Sequence, residues 1–315
     1  MMKKNHFLRY FLLYFSLLHI AGTSAKEAAI GDSPIEMTYL GSAGWIIKDG
    51  DITVLLDPYV SRLQLKGREL DGDDRKVYSV NEVGPTNTAQ VDKLITDADY
   101  ILVHHSHHDH LGDVPYIAKK TGAKVIGTET TKSILMSYGV PEEQLYVVVG
   151  GEDYQFDNFS VRVLPSIHSA LNNKLYHDSR RYDSNSNLKA PLTIGQFVEG
   201  GSLMFLARFK NKTVLTMGSM NFLQREIADL KPDILLAGVN GSRLNIYNYD
   251  ERLIKLTGKP PIVIPTHWDS FSWPYDVSQK VNVDKKLKPF KENVLKVAPN
   301  TDVIFPTHLK TITIN

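Results

Sequence analysis

Short apolar runs rich in β-branched and aromatic residues begin the central part of the chain, and glycine or aspartate separates them. The first three runs are Ile35 to Leu40, Trp45 to Lys48 and Ile52 to Leu56, separated by Gly41 to Gly44 and by Asp49-Gly50. Such runs bounded by turn residues are typical of strands, and short connections favour antiparallel neighbours. The pattern therefore predicts an antiparallel meander.

Further along, predicted strands and helices alternate. The predicted helices are Thr88 to Ile95, Val114 to Lys120, Glu129 to Tyr138 and a segment near Lys286 to Val297. The predicted strands are Ile101 to Val103, Lys124 to Gly127, Leu145 to Val149, Phe159 to Leu164, Leu203 to Phe209, Thr213 to Met217, Ile234 to Ala237, Ile262 to Pro265 and Val303 to Phe305. Strand-rich blocks that are each joined to strand–helix alternation predict two packed sheets with helices outside.

The first residues follow a different pattern, which is typical of a secretory signal peptide. A start with Lys3 and Lys4 precedes an apolar stretch from Tyr10 to Ile20, and small residues follow up to Ala25. The apolar stretch is shorter than the roughly 20 residues that span a bilayer. We expect residues 1–25 to be removed, residues 26–315 to form the functional domain, and that domain to be periplasmic or secreted without stable membrane insertion.

Composition excludes several classes of function. The chain is 42% hydrophobic and 23% charged, with a net charge of +1, so charge gives no reason to expect nucleic acid as a partner. It contains no cysteine, which excludes disulfides, thiolate ligands and a cysteine nucleophile. We expect a small molecule as the substrate.

A cluster of histidines follows the apolar strand Ile101 to Val103. Residues two apart on an extended chain point the same way, so His105 and His107 can bind one ion together. Asp109 and His110 follow where we expect the strand to end and a turn to begin at Leu111 to Asp113. Imidazole and carboxylate are ligands for zinc when thiolates are absent. By the same alternation, His104 and His108 should point away from the ion.

Two further histidines stand at the ends of predicted strands. His168 lies beyond Phe159 to Leu164, and His267 lies beyond Ile262 to Pro265. A lone histidine is usually a core or surface residue, but its place after a buried strand makes each a candidate ligand beside the cluster.

The His-x-His-x-Asp-His order of the cluster resembles the signature of the metallo-β-lactamase superfamily, and the resemblance covers nearly all of the chain after residue 25. It implies an α/β (α+β) fold, the four-layer αββα sandwich. It also implies two zinc ions and a catalytic role for Asp109. The implied ligands are His105, His107 and His168 for the first zinc, and Asp109, His110 and His267 for the second.

One position departs from the superfamily pattern. Most of its hydrolases have an Asp that bridges both metals, whereas Ser219 stands at the matching place after Thr213 to Met217. The third subclass of metallo-β-lactamases resembles this chain in having serine there with the same ligand set. The segments Tyr39 to Ser42 and Leu55 to Pro58 instead resemble the branch that includes ascorbate-6-phosphate lactonase and N-acyl-phosphatidylethanolamine phospholipase D.

Other polar residues have two interpretations each. Asp57 either accepts a hydrogen bond from a ligating histidine or serves as an Asp-Pro turn residue. The polar segment Ala170 to Gly195, with His177, Arg180 and Arg181, is either a substrate-binding loop or a solvated insertion.

The residues and the resemblance together predict an exported zinc-dependent hydrolase, in which a metal-bound hydroxide opens a cyclic amide or ester, a β-lactam or a lactone. One alternative is a phosphodiesterase of the same fold, for which Arg180 and Arg181 would bind phosphate. Another is a non-catalytic zinc-binding protein, because a fold and its site residues do not guarantee turnover.

Overall fold

The computed structural model of the chain describes residues 34–171, 175–176 and 178–315. Its strands are β1 Ile35–Gly41, β2 Gly44–Asp49, β3 Ile52–Leu56, β4 Gln64–Leu65, β5 Val77–Tyr78, β6 Tyr100–Leu102, β7 Lys124–Gly127, β8 Leu145–Val147, β9 Asp153–Gln155, β10 Ser160–Ser166, β11 Ala170–Leu171, β12 Leu175–Tyr176, β13 Ser202–Arg208, β14 Thr213–Met217, β15 Ile234–Gly238, β16 Ile262–Thr266, β17 Asp302–Val303 and β18 Thr311–Ile314. Its α-helices are α1 Thr88–Leu94, α2 His108–Leu111, α3 Val114–Thr121, α4 Glu129–Ser137, α5 Gln224–Ile227, α6 Tyr249–Leu256, α7 Lys280–Asn282 and α8 Lys288–Val297. The π-helical turn Val283–Leu287 joins α7 to α8.

The longer strands form two sheets built on the same plan. The first has the order β18-β1-β2-β3-β6-β7-β8, and the second has the order β17-β16-β15-β14-β13-β10-β9. In the first sheet, β18 to β3 are antiparallel and β3 to β8 are parallel. In the second, β9 to β14 are antiparallel and β14 to β17 are parallel. The predicted meander is therefore β1 to β3, and each sheet consists of an antiparallel part followed by a parallel part.

Alternating side chains divide the first sheet between two cores. Val54, Leu56 and Leu102 point to the core shared with the second sheet, whereas Leu55 and Ile101 point to a separate core formed with helices α1, α3 and α4. Because successive side chains of a strand face opposite ways, an all-apolar strand can be buried on both faces.

Helices α6 and α8 contribute Leu253, Phe290 and Val294 to the core that contains the second sheet. With α1, α3 and α4 on the first sheet, helices cover both sheets. The four-layer αββα sandwich predicted from the sequence is confirmed. No helix in the described ranges is long and apolar enough to span a bilayer.

Strand direction brings the candidate site residues to one edge of the molecule. Because β3 and β6 are parallel neighbours, the residues that follow them meet, and the Asp57 amide donates to the Leu102 carbonyl at 3.1 Å. The carboxyl end of β10 leads to His168, and that of β16 leads to His267. The ends of strands from both sheets therefore supply one site.

The local structure differs from the sequence-based expectation at several places. The turn expected at Leu111 to Asp113 is present at Gly112 and Asp113, but the short helix α2, His108–Leu111, precedes it, and in this helix the Leu111 amide donates to the His107 carbonyl at 2.9 Å. The strand expected at Val303 to Phe305 is Asp302–Val303. Helix α6 and strand β18 were not predicted; β18 pairs with β1, a contact between distant parts of the chain.

Candidate metal centre

Three histidines from two loops form the first candidate ligand group. Ligand nitrogens of His105, His107 and His168 lie within 4.8 Å of one another. The His105 ring centroid is 4.8 Å from those of His107 and His168, which are 4.9 Å apart, and the three rings are nearly perpendicular to each other. Three imidazoles at these separations can bind one ion while an external ligand takes a fourth position.

The second candidate group combines a carboxylate with two imidazoles. Asp109 Oδ2 lies 3.4 Å from His267 Nε2 and 3.7 Å from His110 Nε2. Helix α2 places Asp109 and His110 next to the first group, where the ring centroids of His105 and His110 are 3.8 Å apart. The structure therefore brings the six residues expected as ligands into two adjacent groups.

The buried donor atoms of these groups fit a divalent cation. Both ring nitrogens of His105, Nε2 of His110 and Nδ1 of His267 are buried without a hydrogen-bond partner among the described residues. A buried polar atom left unsatisfied costs about 1–3 kcal/mol, and a bound cation would remove that cost. Burial and the surrounding imidazoles hold the pKa of His105 well below its usual value, so its lone pair is available at neutral pH.

Asp57 contacts the candidate ligand His110 and the neighbouring His104. Its Oδ2 lies 2.6 Å from His110 Nδ1 and 2.7 Å from His104 Nδ1, and its Oδ1 accepts a bond from the His104 amide at 2.8 Å. Burial alone would raise the pKa of this carboxyl, but His104 and His110 lower it to about 2. An ionised Asp57 favours the proton on Nδ1 of His110, which leaves Nε2 free for a metal.

His104 has a structural environment rather than a place in either ligand group. Its Nε2 lies 2.8 Å from Thr216 Oγ1 in the second sheet, and its ring packs edge-on against Phe205. His108 is also outside both groups and packs against Tyr59 and Phe197. Both were expected from the sequence to lie apart from the other three histidines of the segment, and the structure places them outside both groups.

Ser219 lines the same cleft as the six candidate ligands, and its hydroxyl contacts the loop that carries His168. Ser219 Oγ accepts a bond from the Ser169 amide at 2.8 Å and lies 2.8 Å from Ser169 Oγ. Ser169 Oγ in turn accepts from the Met220 amide at 3.0 Å. This serine pair fixes the strand end after β14 against the residue that follows His168.

The predicted substrate loop contributes a carboxylate that sequence reasoning did not single out. Asp178 Oδ2 lies 3.6 Å from His107 Nε2, and Arg180 binds Asp178 through Nη2 at 2.9 Å and Nε at 3.0 Å. Burial would raise the pKa of Asp178, but the hydrogen bonds from His107 and Arg180 hold it far below its usual value. Arg180 lines the cleft, whereas Arg181 lies beside Gly201 and does not line it.

His177 lies outside the described residues. Under the phosphodiesterase alternative, Arg180 and Arg181 would bind phosphate. In the structure, Arg180 donates two hydrogen bonds to Asp178 and a third to the Gly195 carbonyl at 3.2 Å. This arrangement favours a role for Arg180 in positioning Asp178.

Ser42 is a second residue near the site that was not predicted. Its Oγ lies 3.2 Å from Asp109 Oδ2 and 3.4 Å from His267 Nε2, and its carbonyl accepts from the His267 amide at 2.7 Å. The glycines at positions 41 and 44 mark a tight turn between β1 and β2, which is the sequence signal that could have indicated this approach.

The two ligand groups lie in a cleft with a volume of about 600 Å³. Tyr59, Phe197 and Phe271 give it apolar walls, and the segment from Tyr78 to Asn81 borders it. A cleft of this size admits a small organic molecule and offers both apolar contact and polar groups that can fix its orientation.

The sequence of the chain is similar to those of known proteins. The family model described as "Beta-lactamase superfamily domain" matches residues 36–267. A UPF0173 metal-dependent hydrolase from Carboxydothermus hydrogenoformans is 26% identical over 243 residues, which cover 76% of this chain and 86% of that protein.

Two solved structures have a similar fold. Igni18, a metallo hydrolase from Ignicoccus hospitalis, matches with a TM-score of 0.57 and 18% identity over 90% of this chain and 99% of its own. CmlA, a diiron beta-hydroxylase from Streptomyces venezuelae, matches with a TM-score of 0.56 and 15% identity over 89% of this chain and 54% of its own. At these identities, the likeness concerns the fold. Because the family match spans most of the chain and includes all six candidate ligands, the chain belongs to the metallo-β-lactamase superfamily.

Proposed function

We propose that the protein is an exported, zinc-dependent hydrolase that opens a cyclic amide or ester, a β-lactam or a lactone. The observation that carries this proposal is the pair of adjacent ligand groups at one cleft, with buried ring nitrogens that lack a hydrogen-bond partner in the described chain. Family membership and the name of the Carboxydothermus relative support the general class, a metal-dependent hydrolase.

The six candidate ligands have distinct roles in the proposed reaction. His105, His107 and His168 would hold one ion, and Asp109, His110 and His267 would hold the other. When bound, such ions polarise the carbonyl of the substrate and lower the pKa of water to about 7. Burial would raise the pKa of Asp109, but His110 and His267 hold it well below its usual value, so the carboxylate is ionised. Asp109 orients the attacking water and accepts its proton. It then donates that proton to the leaving group.

The donor set supports zinc but also suits iron, because imidazole and carboxylate bind both metals. CmlA is a diiron beta-hydroxylase and has a similar fold, so the experiment has to determine which metal is bound. The phosphodiesterase alternative has less support, since Arg180 is bound to Asp178. A non-catalytic metal-binding protein would use the same ligand groups, and it would differ from the proposed hydrolase because it turns over no substrate.

The decisive experiment combines metal analysis with a substrate panel. Purified mature protein is analysed for zinc and iron per chain and then assayed against a β-lactam, a lactone and a phosphodiester. We expect two zinc ions per chain and hydrolysis of a cyclic amide or ester, lost on chelation and restored by zinc. Cleavage of the phosphodiester alone would establish the alternative. Full zinc occupancy without turnover of any panel member, or activity restored by iron and not zinc, would refute the proposal.

Export is a separate part of the proposal and rests on the sequence pattern of residues 1–25. We expect the protein to accumulate outside the cytoplasm with a new amino terminus near Lys26. Amino-terminal sequencing of protein from the periplasm or the medium measures this. Replacing the apolar residues Leu12 and Leu13 by Arg should keep the unprocessed chain inside the cell, and intact Met1 on wild-type cytosolic protein would contradict the prediction.

A further inference from the structure

A second cavity, with a volume of about 420 Å³, opens beside the cleft over the candidate metal centre. We call it the side cavity. Arg68, Asn240, Ser242 and Phe271 line both the side cavity and the cleft, so the two share a wall. A substrate held in the cleft could therefore extend a substituent into the side cavity.

Two cationic side chains line the side cavity, and neither forms an ion pair with a carboxylate of the described chain. Lys286 is half-buried, and its Nζ donates to the Trp268 carbonyl at 2.8 Å. A lysine ammonium has three donors, so two remain. The Arg68 guanidinium lies 4.7 Å from the centre of the Phe271 ring, and cation–π attraction holds it against this residue of the shared wall.

The local fold and charge fit a binding role for Lys286. It lies in the π-helical turn Val283–Leu287, a form of helix that is frequent at functional sites. Burial lowers its pKa to about 8, with Arg243 and Arg68 acting in the same direction and Asp269 opposing them. At neutral pH the amine is therefore still largely protonated, and a nearby anion would stabilise that charge.

Two buried hydroxyls add donors without partners. Ser242 Oγ and Ser272 Oγ make no hydrogen bond to a described residue, and Ser272 is 2% exposed. The acidic residues that line the cavity form no ion pair with its cations: Asp269 is bound to Arg62 at 2.8 Å, and Glu69 is exposed. The side cavity thus combines unpaired cations with unsatisfied donors, as an anion would require.

We propose that the side cavity is a subsite for an anionic oxygen group of the substrate, a carboxylate or a phosphate, bound by Lys286 and Arg68 with Ser242 and Ser272. This inference rests on the proposed hydrolase function because it assigns a substituent to the substrate of the same cleft. It adds that the substrate carries its negative charge away from the bond that is cleaved.

The first test needs no turnover. Metal-loaded mature protein is acetylated with acetic anhydride at limiting concentration, and modification of Lys286 is measured by peptide mass spectrometry relative to the exposed neighbour Lys285. We expect inorganic phosphate or acetate to reduce labelling of Lys286 without reducing that of Lys285. The anion that protects at the lower concentration identifies the preferred group. Unchanged labelling with both anions would overturn the proposal.

Variants distinguish the side cavity from anions bound at the metals. Arg68→Met changes an exposed side chain, so it should fold normally and should require an about tenfold higher anion concentration for the same protection, the size expected for one charge-assisted contact. Lys285→Met should leave protection of Lys286 unchanged. Equal protection in wild type and Arg68→Met would show that the anion binds elsewhere.

The second test uses a substrate that the protein hydrolyses, as the free acid and as its methyl ester. We expect wild type to prefer the acid, and Lys286→Met to lower kcat/KM about tenfold for the acid while leaving the ester unchanged. Retention of ester hydrolysis separates loss of the subsite from loss of the hydrolase. Equal losses for acid and ester, or none for either, would refute the subsite. If no substrate is hydrolysed, the labelling test still decides the subsite.

Discussion

His105→Ala is expected to abolish hydrolysis and to remove most of the bound metal from both ligand groups. His105 is buried, belongs to the first group, and has its ring centroid 3.8 Å from that of His110 in the second. Its loss removes one of three imidazoles and leaves a void beside the other group. Because a cation bound to the native state alone stabilises it, metal loss should also lower the free energy of unfolding by roughly 3–4 kcal/mol at metal concentrations far above Kd.

The measurements are metal per chain after gel filtration and thermal unfolding with and without zinc. His108→Phe is the matched control, since His108 belongs to the same segment, lies outside both ligand groups and packs edge-on against Tyr59 and Phe197. The control should retain metal and the zinc-dependent rise in melting temperature. Equal metal loss in both variants would show that the ligands have been assigned to the wrong histidines.

The sequence could predict those parts of the molecule in which a local pattern determines the structure. Short apolar runs rich in β-branched residues located most of the longer strands of both sheets, because strands that are buried on both faces are apolar throughout. The alternating direction of side chains on an extended chain distinguished His105 and His107 from His104. His168 and His267 could be found because each follows an apolar strand, and strand ends of both sheets meet at one edge.

The parts that escaped prediction depend on contacts between distant residues. Asp178 reaches His107 from the loop after His168, and no periodicity marks it in a polar segment. Ser42 comes close to Asp109 through a turn whose position is determined by the packing of the first sheet against the second. Helix α2 is four residues long, which is too short for a hydrophobic period to indicate it.

A buried ion pair next to the candidate metal centre also depends on a contact between distant residues. Arg62 Nη2 donates to Asp269 Oδ2 at 2.8 Å, and both side chains are at most 2% exposed. Burial alone would raise the pKa of Asp269, but Arg62 and His308 hold it far below its usual value. Asp269 Oδ1 accepts from the Ser42 amide at 2.9 Å, so the pair fixes the residue whose hydroxyl contacts Asp109 and His267.

The close approach of Arg62 depends on Gly41. A Cβ at this position would lie 2.0 Å from Arg62 Nη1, and the backbone φ of 89° is unfavourable for residues with side chains. Glycine therefore lets the guanidinium pass directly over the turn that precedes Ser42. The ion pair, the turn and the second ligand group form one connected unit.

Arg62→Met is expected to lower the free energy of unfolding by about 3–5 kcal/mol, because it leaves the Asp269 carboxylate buried without its cation. The second ligand group should also bind metal more weakly, since Asp269 can no longer hold the Ser42 amide in a fixed position. Denaturant unfolding of the zinc-loaded and chelated protein measures the first effect. Graded chelation, with zinc per chain as the readout, measures the second.

Arg208→Met provides the matched control for this prediction. Arg208 pairs with Asp153 at 2.8 Å, the same distance as in the buried pair, but these side chains are 32% and 41% exposed. Water already solvates both charges, so breaking this pair should cost less than about 1 kcal/mol and leave metal binding unchanged. If the two variants lost equal stability, burial would not be the source of the effect. If Arg62→Met unfolded more easily yet bound both metals as tightly as wild type, the pair would stabilise the fold without positioning Ser42.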